Sequence, residues 1–443
     1  MLAPLPMHLR KAVLSSIVLG ACALAGCSGN GNGRDEELVA TPPIDGRNGS
    51  GGAGRVDDSK LYPESQCQRV GDERKLTEAA DVHTVALLWD TDHYLLAYSD
   101  RAQGGGDIYT MRLGADGAPL GPPVLILSTP GFSKLPNLVK LPAGGYLLGW
   151  EDGSIPYQNE EADHGPIQAY VSVLNANGEP VGPPAPVARS EVKEARPVLG
   201  VGPNGPVLVW QEGDYPASNA FIAKVDPATG ALVANSTKPL GAPNAGFPYL
   251  AGDPATGLAV VYSQATGPDT ATIEYGQVDA ALNVTTSQSM RSATGDARLA
   301  RVIRRGTGFL AAWEDFRGLD DDGYPYEQLF MAMVDPTGVK SPDALVENPG
   351  TGSANWPNMA SRPDGSASAI VYYQFRQSRP QIFLAFVDAS GVKAGGDLQV
   401  SSTPAAANAK YPDVQWNGSS FGVSWIDTRD GAAQVYFATV ACP

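Results

Sequence analysis

A chain of 443 residues that carries 51 Gly and 37 Pro, yet is 43% hydrophobic, has turns in abundance and enough apolar mass for a core. That combination points to an all-β fold of many short strands. With 31 basic against 47 acidic side chains the net charge is −16, which repels nucleic acid and anionic headgroups at long range and argues against nucleic acid as a partner.

The first element is a secretory signal: Arg10-Lys11, then the apolar run Ala12-Val13-Leu14-Ser15-Ser16-Ile17-Val18-Leu19. About 15 residues of apolar character are too few for a membrane-spanning helix. Directly behind stand Leu24-Ala25-Gly26-Cys27. This resembles a bacterial lipobox, the signal-peptidase II site, where small residues precede a cysteine that is lipidated and becomes residue one. The resemblance implies that residues 1–26 are a lipoprotein signal peptide and that Cys27 is the lipidation site. The protein would then fold outside the cytoplasm and hold its membrane through that lipid. Ser28 in place of Asp resembles the outer-membrane sorting default of a cell with two membranes. Loss of Arg10 and Lys11 leaves 29 basic against 47 acidic side chains, a charge of −18.

Residues 27–60 include Gly-Asn-Gly-Asn-Gly, Thr41-Pro42-Pro43 and a glycine-rich stretch from Gly49 to Gly54, without any hydrophobic period. They read as a disordered tether, with a root-mean-square span of roughly 30 Å. Beyond the signal only Cys67 and Cys442 remain for the fold, and in an oxidising compartment they most simply pair. Zinc does not suit two cysteines and three histidines.

Residues 61–443 repeat one unit seven times. A short apolar strand ends in an aromatic at Tyr98, Trp150, Trp210, Tyr262, Trp313, Tyr372 and Trp425, at spacings of 52, 60, 52, 51, 59 and 53 residues. Five copies place a proline 13 to 15 residues earlier: Pro136, Pro197, Pro248, Pro357 and Pro412. A hairpin turn such as Asn417-Gly418 lies between them, a third strand such as Ile382–Val387 follows, and a more polar fourth strand such as Leu398–Ser401 closes the unit. Four antiparallel strands in about 50 residues, seven times over, spell a seven-bladed β-propeller. A β-sandwich array would need about 100 residues per module. Copy seven stops after its third strand, and the surplus segment Cys67–Thr77 stands before copy one. The N-terminal strand is therefore expected to complete the last blade, with Cys67 and Cys442 stapling the seam.

Several copies follow the aromatic with an acid and an arginine: Asp100-Arg101, Asp315 and Arg317, Asp427 and Arg429. Copy two keeps Asp152 alone, and copy six keeps Arg376 behind Gln374. Trp-x-Asp-x-Arg resembles a repeat of secreted bacterial propellers, and the resemblance implies fold rather than activity. The acid and arginine are expected to tie the loop after strand two. As an anion-binding ring they would resemble sialidase-like enzymes, but no blade has that family's Ser-x-Asp-x-Gly-x-Thr-Trp box.

Copies two and five insert acidic loops, Glu151–His164 and Asp315–Glu327. Asp320, Asp321, Asp322 and Glu327 are carboxylates of the kind calcium takes. Neither loop has EF-hand spacing, so solvated loops and no cofactor are the expectation. Just before the prolines stand Leu135, Arg196, Phe247, Trp356 and Tyr411, with His83 and Arg298 placed at the matching positions of the copies lacking proline. His83, Arg196, Phe247, Arg298, Trp356 and Tyr411 would ring the channel mouth, either as a contact site for a peptide or glycan or packed beneath neighbouring loops; the sequence supports both equally. No Gly-x-Ser-x-Gly, His-Glu-x-x-His or phosphate-cradling loop is present. The expectation is a monomeric, lipid-anchored, non-catalytic binding or scaffold propeller for an envelope protein or glycan. The alternative is a glycoside hydrolase or lyase on the same scaffold.

Overall fold

The alternation that marks the repeats puts each landmark aromatic on the buried side of a strand, where it needs a flat partner. In five of the seven blades it stacks on one directly opposite on the third strand, whereas Glu274 stands opposite Tyr262. Tyr98 stacks on Tyr109, Trp150 on Tyr170, Trp210 on Phe221, Tyr372 on Phe383 and Trp425 on Tyr436, with ring centroids 5.4 to 6.1 Å apart. The computed structural model describes residues 63–443 except 79, 103–104, 154–166, 188–192, 255–256, 268, 320–324, 349–351, 377–378 and 405–406.

The first strand, β1 (Gln68–Lys75), belongs to the last blade. Blade I holds β2 (Val82–Asp90), β3 (His93–Asp100), β4 (Asp107–Leu113) and β5 (Val124–Leu127); blade II holds β6 (Ser133–Lys140), β7 (Tyr146–Gly153), β8 (Ile167–Leu174) and β9 (Ala185–Pro186). Blade III holds β10 (Glu194–Gly202), β11 (Gly205–Glu212), β12 (Asn219–Lys224) and β13 (Lys238–Leu240). Blade IV holds β14 (Ala245–Asp253), β15 (Gly257–Gly267), β16 (Thr270–Val278) and β17 (Val284–Ser289). Blade V holds β18 (Ala297–Arg305), β19 (Gly308–Leu319), β20 (Pro325–Val334) and β21 (Ala344–Leu345). Blade VI holds β22 (Ala354–Ser361), β23 (Ser368–Arg376), β24 (Arg379–Val387) and β25 (Leu398–Gln399). Blade VII holds β26 (Ala409–Trp416), β27 (Phe421–Asp427) and β28 (Gln434–Ala441), completed by β1.

All seven sheets are four-stranded and antiparallel, and the innermost strand of each blade packs on that of the next until β26 meets β2. This is the seven-bladed β-propeller expected from the repeats. At the seam β1 pairs with β28, Gln68 opposite Ala441 and Lys75 opposite Tyr436. A Cys67–Cys442 disulfide closes it across 375 residues of sequence. Closure turns the free edge of each inner strand toward the axis, away from other chains.

Strand direction sorts the ring into two faces. The start of each first strand and the end of each second strand lie on one, here the loop face; the first-to-second hairpins and the third-to-fourth turns lie on the other, the turn face. Asn417-Gly418 makes one such hairpin, with Gly418 at φ +96° and the Asn417 side-chain Oδ1 accepting the Ser419 and Ser420 N–H groups. The chain enters β1 from the turn face. There Ser65 bridges to Gly395, and Gly396 donates its N–H to the Glu64 carbonyl.

Candidate functional site

Each inner strand carries a bulge at the same point, near its start on the loop face, and the bulge shapes the channel mouth. Between Lys134 and Asn137, Ala195 and Val198, Gly246 and Tyr249, Arg298 and Arg301, Asn355 and Asn358, and Lys410 and Asp413, the register with the second strand slips. The first inserted residue turns left-handed: Leu135, Arg196, Phe247, Leu299, Trp356 and Tyr411 have φ between +51° and +58°. For residues with a Cβ this conformation is costly and persists only where the surroundings enforce it.

What enforces it comes from the neighbouring blade. The residue after the landmark aromatic reaches across and accepts the N–H of the inserted residue. Glu151 Oε2 takes Arg196 N at 2.6 Å, Gln211 Oε1 takes Phe247 N at 2.9 Å and Glu314 Oε1 takes Trp356 N at 2.7 Å. In blade I the acceptor is instead Thr84, whose Oγ1 takes Leu135 N at 2.8 Å. Two residues beyond the inserted position the chain is cross-tied again, with Asn137 Oδ1 accepting Leu199 N and Asp413 Oδ2 accepting Leu87 N, both at 2.7 Å. Sequence reasoning missed these ties. The signal was there: Ser99, Glu151, Gln211, Ser263 and Glu314 follow the apolar run in five copies, polar residues that an isolated blade has no use for.

The register corrects one of the candidate positions. In blade I the slip lies between Val82 and Val85, and in blade V between Arg298 and Arg301. The residue matching Tyr411 in blade V is therefore Leu299, and Arg298 stands one place earlier, with Lys134 and Lys410; in blade I the slip takes in His83 and Thr84. Without the proline, nothing in the sequence anchored the count.

Burial decides between the two readings of the ring. Trp356 is 7% exposed and Tyr411 2%, and their rings meet edge to face at 4.9 Å. His83 is buried too, edge-on to Phe132 at 4.8 Å and stacked on Tyr411 at 5.9 Å. These aromatics are wedges between blades. The half-buried members are Arg196, over the Phe247 ring at 4.5 Å, and Arg298, paired with Asp296 at 2.7 Å and over the Tyr215 ring at 5.5 Å.

Below the wedges a cavity of about 80 Å³ opens on the axis, bordered by Thr84, Asn137, Arg196, Tyr249, Arg301, Asn358 and Asp413 among others. By the space one water needs, it holds a handful of waters, whereas a pocket for a whole small-molecule ligand measures about 300 Å³ or more. Burial pushes the Asp413 carboxyl up to about 7, against the lowering effect of its two backbone N–H donors and of Arg301.

The acid–arginine motifs are structural. Asp315, fully buried, accepts Trp313 Nε1 at 3.1 Å, Arg317 Nη2 at 2.6 Å and both Arg291 Nε and Nη2 at 2.7 Å. Burial alone would raise its carboxyl, but the arginine hydrogen bonds hold it below the usual range. Asp427 repeats the arrangement with Trp425 at 3.1 Å, Arg429 and Thr403. Arg429 continues to Glu73 at 2.6 Å and so ties β1 into the seam. Arg317 and Arg429 are thus committed to buried carboxylates.

Asp320, Asp321, Asp322 and most of the Glu151–His164 insertion, together with Cys27 and the tether, lie outside the described residues. Glu327 sits on β20, half-buried. Among the described residues no three His, Cys, Asp or Glu side chains come together as a metal site would require. His93 contacts Asp92 at 2.7 Å and Tyr146 at 3.2 Å, a link between blades I and II.

No protein-family model matches the chain, and no curated protein matches it in sequence. Among solved structures it is similar to the polysaccharide lyase Uly1, with a TM-score of 0.51 and 10% identity over 85% of this chain and 100% of that one. It is also similar to Trypanosoma rangeli sialidase, with a TM-score of 0.43 and 12% identity over 84% of this chain and 59% of that one. A third is prolyl oligopeptidase B from Galerina marginata, with a TM-score of 0.43 and 10% identity over 78% of this chain and 47% of that one. The chain thus spans little more than half of the sialidase and about half of the oligopeptidase. At such identities the likeness to Uly1 concerns the fold alone.

Proposed function

We propose that the protein is an envelope lipoprotein, anchored through Cys27, whose propeller binds a protein or glycan partner on its loop face without transforming it. One observation carries this reading. The chain enters the ring on the turn face, at the Ser65–Gly395 bridge and the Cys67–Cys442 staple, opposite the channel mouth. The tether therefore joins the ring on the face opposite the mouth. The ring is pinned blade to blade by Glu151, Gln211 and Glu314, so the loops stand on a rigid scaffold, where binding surfaces are usually built.

The test uses the full chain in its membranes. A photo-crosslinking residue in place of Tyr215, half-buried at the mouth, is expected to capture a partner, whereas one in place of Val181, exposed on a turn, is not. Cys27→Ser is expected to release the protein from the membrane fraction. Capture from the turn face alone would reverse the orientation. Release of reducing ends or unsaturated products from a polysaccharide, lost on substitution of mouth residues, would establish the glycan-active enzyme instead.

A further inference from the structure

The outermost strand of a blade leaves a row of backbone groups with no strand beside it, and sequences guard such rows with short strands, prolines and charges. Six of the seven outermost strands described are guarded in this way. β9, β13, β21 and β25 are two or three residues long, β5 has four residues behind Pro122-Pro123, and β1 carries Arg69, Asp72, Glu73, Arg74 and Lys75. The outermost strand of blade IV is the exception. β17, Val284-Thr285-Thr286-Ser287-Gln288-Ser289, is six residues long, without proline and without charge, in a chain of net charge −16.

Among the described residues β17 has one neighbouring strand, β16, with Thr286 opposite Gln277, Ser287 opposite Gly276, Gln288 opposite Tyr275 and Ser289 opposite Glu274. The register slips only at the start of the strand, around Thr285. At the other end Met290 donates its N–H to the Ile273 carbonyl at 2.8 Å. Alternation along an antiparallel ladder then turns the amides of Thr286 and Gln288 inward to β16 and those of Ser287 and Ser289 outward. The side chains of Thr285, Thr286, Ser287 and Ser289 are exposed. Their hydroxyls already have partners within the blade, Ser287 with Glu274 at 3.2 Å and Ser289 with Thr272 at 2.5 Å, so what the edge offers is its backbone.

We propose that β17 is a self-association edge, on which a second copy of this chain adds its own β17 antiparallel and joins two blades into one continuous sheet. The two-fold axis of such a pair passes through a residue facing its own mate. Centring it on Ser287, whose backbone points outward, gives the longest regular overlap: Thr286 then faces Gln288, Thr285 faces Ser289, and no charge meets another. Two chains of net charge −16 repel at long range, and a neutral strip is where they touch with least opposition. A foreign peptide is selected by side-chain pockets beside the added strand, whereas symmetry alone specifies the self-pair on an edge of exposed side chains. Six residues a side are few beside the roughly 20–30 of a standard interface. The pair is therefore reversible, and the monomer expected from the sequence prevails on dilution. This goes beyond the loop-face partner proposed above and does not depend on it or on lipid anchoring.

The experiment is cysteine crosslinking in cells expressing the full chain, read as the dimer band of a non-reducing gel after mild copper oxidation. Facing residues of an antiparallel pair have Cα atoms about 5.5 Å apart, within the reach of a disulfide. Ser287→Cys, on the axis, should crosslink several-fold above the unsubstituted chain and above Val181→Cys, exposed on blade II. Thr286→Cys and Gln288→Cys should each stay near background alone and crosslink when expressed together. For the purified full chain without added cysteines, light scattering should show a mass that rises from one copy toward two with concentration. Ser287→Lys, which sets like charges face to face, should hold it at one copy with an unchanged near-ultraviolet circular dichroism spectrum, and Ser287→Thr should not. Crosslinking at Ser287 no greater than at Val181, or a wild-type mass of one copy at every concentration, would overturn the proposal. So would equal crosslinking from Ser289→Cys alone, which a Ser287-centred pair forbids, or a Ser287→Cys product whose mass is not twice that of the chain, which would put a foreign protein on the edge.

Discussion

Glu314 tests the idea that the blades are locked by side chains accepting the amides of left-handed residues. Its Oε1 accepts Trp356 N at 2.7 Å across the blade V–VI junction, Trp356 sits at φ +58°, and both side chains are buried. Glu314→Ala leaves a buried N–H without its acceptor, a loss of about 1–3 kcal/mol. Glu314→Gln keeps a carbonyl oxygen in the same place, and blade III already uses that solution, with Gln211 Oε1 accepting Phe247 N at 2.9 Å. The Gln variant should therefore lose less than about 1 kcal/mol. With an unfolding entropy of about 2.1 cal/mol/K per residue, the roughly 380 folded residues lose only about 3 °C for 2.5 kcal/mol, so denaturant midpoints at constant m-value are the better readout. If Gln and Ala are equally destabilising, the charge of Glu314 matters rather than its acceptor. If Ala is neutral, the left-handed amide needs no partner and the locking argument fails.

Three further outcomes follow from the same geometry. Trp356→Ala should cost about 3–5 kcal/mol by removing a buried wedge against Tyr411, and a variant of unchanged stability would return the ring to the surface. Asp413, raised from 3.8 to about 7, keeps in the folded state a proton that the unfolded chain has already lost. Stability is thus fully present below about pH 4 and is lost as pH rises toward 7. Asp413→Asn should flatten that part of the urea-midpoint profile and be the more stable protein above pH 7, while Glu347, pushed up to about 8 by burial, sustains a residual slope that Glu347→Gln removes. Reducing the Cys67–Cys442 bond should lower stability by up to about 6 kcal/mol on the loop-entropy estimate. Guanidinium unfolding with and without dithiothreitol measures this, and coincident curves would show that strand pairing at β1–β28 suffices alone.

The repeat count, the four-stranded unit, the surplus first strand and the pairing of Cys67 with Cys442 could all be read from the sequence, because they rest on the order of local elements along the chain. An aromatic after an apolar run, a proline at a strand start and an Asn-Gly turn keep their meaning wherever the strand lies. The mouth of the channel could not be read that way. Phe247, Trp356 and Tyr411 look like an exposed aromatic ring when blades are counted one at a time, and only closure of the circle presses them between neighbours. The inserted residue in each inner strand is invisible to period-two alternation, since a bulge shifts the register without leaving a mark in composition, and it moved one candidate position by one residue, from Arg298 to Leu299. That Arg196 and Arg301, 105 positions apart in the chain, line one cavity depends on two blades leaning on a third. Local sequence sets the strands; the curvature that brings seven of them round one axis decides which side chains face the cavity and what charge they place there.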